Sequence, residues 1–98
     1  MDLQDLTPAH FQEQIGSRFR VHVEGVGSME VELVEVALHE PHAGPRQQPF
    51  SVLFRGHPAS YLPQAIYRLE HERLGTLDIF LVPVGPDDRG MRYEAIFN

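Results

Sequence analysis

The chain contains no cysteine, which excludes disulfides and thiolate chemistry. It contains no lysine either: all eight cations are arginines, set against fourteen acids for a net charge of −6. Every cation can therefore make a forked pair with a carboxylate. The acidic balance argues against binding a phosphate backbone, so no nucleic-acid partner is expected. No stretch approaches the ~20 apolar residues of a membrane-spanning helix, and no membrane partner is expected. The opening MDLQDLTPAH carries two acids and no basic region, so a secretory signal is not expected and the cytoplasm is the expected location. Catalytic patterns are missing as well. None of Ser17, Ser28, Ser51 and Ser60 sits in a Gly-x-Ser-x-Gly elbow. Asp87 and Asp88 lie in a PDDRG turn, without the alternating oxygen ligands of a calcium loop, and read as a solvated turn. The protein is expected to be no enzyme and to need no cofactor.

What is present is the pattern of a single mainly-β domain of 98 residues. Residues 1–16 predict a short helix. Thr7 suits the N-cap, Pro8 the first helical position and Gly16 the position past the end. Leu6 and Phe11 fall at the spacing of a hydrophobic staple, and a face of Leu6, Phe11 and Ile15 is expected to dock on the rest. Residues 18–24 and 29–38 alternate apolar and polar and read as a hairpin around Gly25-Val26-Gly27, with Gly27 in the left-handed region. The expected register sets His22 opposite Glu30 and Arg20 opposite Glu32. The apolar parity changes between residues 33 and 35, which predicts a β-bulge. Residues 39–49, HEPHAGPRQQP, are a proline-broken loop, either mobile or functional.

Residues 50–55 are expected to form the next strand, and 56–63, GHPASYLP, a second irregular stretch. The last third is expected to be an antiparallel meander over 65–71, 76–84 and 91–97. Its odd-numbered face runs from Tyr67 through Leu77, Ile79, Leu81 and Tyr93 to Phe97 and is the expected core. Its even-numbered face mixes Ile66, Phe80, Val82, Val84 and Ile96 with charges. A middle strand apolar on both faces needs cover on both. The N-terminal helix is expected to supply part of it and a subunit interface the remainder. Pro83 predicts a bulge or an edge-facing position. All consecutive strands can pair antiparallel. The expected fold is a six-stranded antiparallel curved sheet or small barrel with one short N-terminal helix.

Two groups of residues offer candidate chemistry. His39, Glu40 and His42 lie close in sequence, and His57 and His71 complete a conceivable metal set. They sit on a broken loop without converging spacing, so no metal site is expected. Phe54 and Arg55, with Tyr61 and Gln64, combine arginine and tyrosine beside glycine and proline, as recognition surfaces do. The opposing reading has Arg55 pairing with Glu94 or Glu70 and Tyr61 packing. Phe80, Val82 and Ile96 join Phe54, Arg55, Tyr61 and Gln64 as the expected partner-binding residues.

The phrases FSVLFRG at 50–56 and LPQAIYRLEHERLGTLDIFLVPVGPDDRGMRYEAIFN at 62–98 resemble a small bacterial family of domains of unknown function. The resemblance is close in the C-terminal half and holds only in pattern before it. His57 stands where the family pattern has a small residue or proline, and Glu72 where it has proline. The family supplies no catalytic residues. Its members resemble neighbours of phage-tail-collar-like proteins, which implies a structural or accessory role. The expected function is a non-enzymatic protein-binding or assembly module, with a tail-collar-like protein, another protein or a second copy of itself as partner. The alternative is a small-ligand-binding β-barrel or weak metal-binding enzyme using His39, His42, His57 or His71 at an open end.

Overall fold

The computed structural model describes residues 2–41 and 44–98. A 3-10 turn at Leu3–Asp5 leads into helix α1 (Pro8–Gln12). Six strands follow: β1 (Arg18–Val23), β2 (Gly27–Leu38), β3 (Phe50–Gly56), β4 (Ala65–His71), β5 (Gly75–Pro86) and β6 (Met91–Phe97). They close into an antiparallel barrel in the order β1-β2-β3-β6-β5-β4, with β4 pairing back onto β1. The mainly-β barrel with one short N-terminal helix is the fold expected from the sequence. One expectation fails: β3 and β4, though consecutive, are not partners. The 57–64 stretch carries the chain past the barrel, so that β3 pairs with β6 and β4 with β1. A meander of all six strands would not close this way.

Two bulges bend the ladder. In β2, Leu33 pairs with Phe54 and Glu35 with Leu53, leaving Val34 as the extra residue. The apolar parity shifts with it, so Val31 and Leu33 point inward before the bulge and Val36 packs on the core after it. In β5, Pro83 pairs with Tyr93 and Gly85 with Arg92, leaving Val84 extra. A proline cannot donate to a ladder, and a bulge is where a sheet tolerates the missing N–H. The first hairpin differs from expectation by two residues. Gly27 is already a strand residue paired with Val23, so Arg20 faces Glu30 and His22 faces Ser28. The loop is Glu24-Gly25-Val26, with Gly25 at φ 79° and Gly27 at φ 118°. His22 instead meets β4, its Nε2 2.9 Å from Glu70 Oε1.

The barrel interior is filled by side chains of the odd-numbered face of β4–β6 and their counterparts on β1–β3. Phe19 and Phe54 meet edge to face with centroids 5.1 Å apart. One end of the β3–β6 ladder is sealed by Phe11, whose ring lies 5.8 Å from Phe50 and 5.4 Å from Phe97, themselves stacked at 4.7 Å. Each such ring pair contributes roughly 0.5–1.5 kcal/mol beyond burial. Leu6 and Phe11 are fully buried as expected, but Ile15 is 50% exposed. The helix stops at Gln12 and the chain continues in turns to Gly16, so Ile15 leaves the face it would share with Phe11 in a longer helix. Nor does the helix cover the even-numbered face of β4–β6. It plugs the barrel end and contacts β2.

Described residues of the 39–49 loop, expected to be either mobile or functional, pack at the same end. His39 N–H donates to Pro49 C=O (2.9 Å) and closes its base. Arg46 donates to the Leu3 and Leu6 carbonyls, and its guanidinium lies 5.5 Å and 5.4 Å from the ring centroids of Phe50 and Phe97. A cation over an aromatic face is held by the ring quadrupole. Toward the other end, Leu62 is buried and its N–H donates to Tyr93 Oη at 3.0 Å.

The β5–β6 turn folds back tightly on β3. A Cβ at Gly90 would lie 2.1 Å from Gly56 O and 3.1 Å from Arg55 Cγ. Backbone stands in the way, so relief requires moving the turn. Gly90→Ala is expected to lower stability by about 1–3 kcal/mol, the range for forced overpacking. Urea denaturation checks this, and a midpoint equal to wild type would refute the close approach.

Candidate functional site

The seven residues singled out as partner-binding do not form one site. Phe54 lies wholly inside the barrel and presents nothing to a partner. Arg55 is half-buried and bound: its Nε (2.9 Å) and Nη2 (2.6 Å) donate to Asp87 Oδ2. Neither Glu94 nor Glu70 takes that role, because the β5–β6 turn brings Asp87 over β3. Asp87 is accordingly not the solvated turn residue expected. Its Oδ1 accepts the backbone N–H groups of Arg89 (2.8 Å) and Gly90 (2.9 Å). The Arg55 guanidinium, with these N–H groups, holds the Asp87 carboxyl well below the usual carboxylate range. The pair is a pin between β3 and the turn. Tyr61, on the 57–64 stretch, is 64% exposed, and Gln64 is exposed immediately before β4.

The histidines are dispersed. His42 lies outside the described residues, and among those described no group of three or more His, Cys, Asp or Glu could hold a metal. His39 Nε2 is 2.8 Å from Ser51 Oγ. His57 Nδ1 accepts Ala59 N–H at 2.9 Å. His71 is buried and stands 2.8 Å, through Nε2, from Ser17 Oγ. A serine beside a histidine invites comparison with a nucleophilic pair, and the hydrogen bonds run the wrong way for one. His71 Nδ1 accepts the N–H groups of Arg73 (3.0 Å) and Leu74 (3.2 Å), so the neutral ring carries its proton on Nε2. That nitrogen donates to Ser17 Oγ, which in turn donates to Gln14 C=O at 2.6 Å. A base must accept the serine proton; this imidazole cannot. It ties the β4–β5 turn to the segment before β1. Nothing in the sequence spacing pointed to this pair, since its members are brought together only by the β1–β4 closure.

What remains is the outer face of β4, β5 and β6. Ile66 pairs with Phe80 across β4–β5, and Val82 with Glu94 across β5–β6. Continued two residues beyond the last of these pairs, the latter register sets Phe80 level with Ile96. Ile66, Phe80 and Ile96 thus make one row across three strands, exposed by 70%, 48% and 56%. Val82, half-buried, stands in the adjoining row. Phe80, Val82 and Ile96 were among the expected binding residues, and Ile66 belongs with them. Its parity with Phe80 was the signal that could have added it. Arg68 and Asp78 flank the row on one side, with Nε 3.4 Å from Oδ1. On the other side Glu94 stands between Val82 and Leu53 in register.

This chain matches, over residues 6–97, the family described as Domain of unknown function (DUF6916). It belongs to that family. No curated protein and no solved structure matches the chain. The family membership extends from the staple residue Leu6 to the ring of Phe97, so it takes in the barrel, its plug and the outer face alike.

Burial, first of all, pushes the His71 imidazole below its ordinary value of about 6.5, with Arg73 adding to the effect and Glu72 opposing it. Protonation at Nδ1 would also break two hydrogen bonds. Below about pH 6.5 the unfolded chain takes up a proton that the folded one refuses, so stability present above that pH falls as the pH drops. An NMR titration should find the His71 imidazole protonating below the ordinary histidine value. A His71 midpoint at or above the ordinary value would contradict the assigned proton. Ser17→Ala, which leaves a buried Nε2–H without acceptor, is expected to cost roughly 1–3 kcal/mol in urea denaturation.

Proposed function

We propose that the protein is a non-enzymatic binding and assembly module of the cytoplasm that docks a protein partner, a different chain or a second copy of itself, on the outer face of β4–β6. The observation that carries this reading is the row Ile66, Phe80 and Ile96. Isolated apolar side chains on a surface are ordinary, but three adjacent ones across neighbouring strands form a patch of the kind that marks interaction sites. The helix, the obvious cover within the chain, is engaged at the barrel end. A closed barrel also has no strand edge to offer, so a partner must use a face or the loops.

The filled interior supports this reading over a ligand carrier, since Phe19, Phe54 and Tyr93 occupy the space a small molecule would need. The family resemblance favours a phage-tail-like assembly that contains a tail-collar-like protein as the setting.

Phe80→Glu is expected to leave the fold intact, because Phe80 already faces solvent, and to abolish docking. Val26→Glu, at an exposed apolar residue in the β1–β2 turn, is expected to change nothing. Immobilised wild-type and variant chains, exposed to extract of the producing cell and to the chain itself, provide the comparison. Equal retention by Phe80→Glu and wild type, or retention of nothing by wild type, would sink the proposal.

A further inference from the structure

We infer that the occupant of this face is a second copy of the same chain, related by a two-fold axis lying in the plane of the face and passing through Phe80. The inference rests on the docking reading above and adds the partner. Its basis is the charge arrangement around the apolar row. The register makes the face a grid of three strands and three rows centred on Phe80. Arg68 lies on β4, in the row of Asp78, two residues along β5 from Phe80. Glu94 lies on β6, in the row of Val82, two residues the other way. Arg68 and Glu94 therefore occupy diagonal corners. A two-fold axis along the other diagonal carries each onto the other in the opposing copy, so a single geometry creates two Arg68–Glu94 pairs, as an isologous interface requires.

Both groups have capacity for that contact. Arg68 engages Asp78 through Nε alone, at 3.4 Å and with both side chains exposed, which leaves its terminal nitrogens available. Such an exposed pair contributes little and is readily supplemented. Glu94 is half-buried between Val82 and Leu53, with no cation partner among the described residues. A carboxylate in apolar company is improved by a cation that arrives with the partner surface. Net charge points the same way. Chains of −6 repel one another, and this face carries little of that charge, with Arg68 and Arg92 standing against Glu70, Asp78 and Glu94. Contact here brings together a part of the surface whose two cations nearly offset its three acids.

Sedimentation velocity over a concentration series tests the inference. The wild-type chain is expected to form a dimer. Arg68→Glu and Glu94→Arg should each raise its dissociation constant by ~tenfold or more, the scale for like charges brought into contact. The double variant Arg68→Glu/Glu94→Arg should return close to wild type, because the exchange restores both pairs across the axis. Circular dichroism controls for folding, which these exposed or half-exposed positions should preserve. A wild-type chain that stays monomeric overturns self-association, as does a double variant no better than its single parents. If that monomer still retains another protein in a Phe80-dependent way, only the identity of the occupant is wrong. If it retains nothing, the docking reading falls with it.

Discussion

Closure of the strand ladder is the constraint on which the rest of this structure depends. Every backbone N–H and C=O of a sheet needs a partner, and a short barrel satisfies them only if its first and last strands meet. Here β1 meets β4 through Arg20–Glu70, Val21–Leu69 and His22–Arg68. The two bulges, with Val34 and Val84 as extra residues, supply local bending and twist. The 57–64 stretch supplies the connection that lets β3 pair with β6. Leu62 is anchored on Tyr93 for that reason, and the Ser17–His71 bond exists only because closure sets the segment before β1 beside the end of β4.

A closed ladder leaves two open ends, and the chain spends its irregular segments on them. The N-terminal helix contributes Phe11, and the 39–49 loop contributes Arg46, over Phe50 and Phe97. The turn of β5–β6 is locked by Arg55 and Asp87. Most residues that looked available for chemistry in the linear chain are thereby used in holding the barrel together. The outer face of β4–β6 is different, for its apolar row is left exposed among the described residues and its cations nearly offset its acids. That contrast places the functional proposal on the face.

Much of the fold was legible in the sequence because it follows from local rules. Alternation of period two located all six strands, the parity change at Val34 announced one bulge, and Pro83 announced the other. The helix start was set by Thr7 and Pro8. Those signals concern neighbours in sequence, where backbone geometry acts directly. The hairpin register was displaced by two residues because Gly25 and Gly27 both support a turn, and the choice between them depends on how the flanking strands pair. Ile15 was misplaced because helix length is decided by docking more than by intrinsic propensity.

The candidate site divides along the same line. By itself, the sequence determined which residues alternate to one side of each strand, and so put Phe80, Val82 and Ile96 on a common face opposite the core. Only the tertiary structure decided that this face stays uncovered, and that Phe54 and Arg55 are taken up within the barrel and its turn. Parity is a property of a single strand, fixed by backbone geometry. Cover is a property of where the helix and loops dock, and that depends on contacts between residues far apart in the chain.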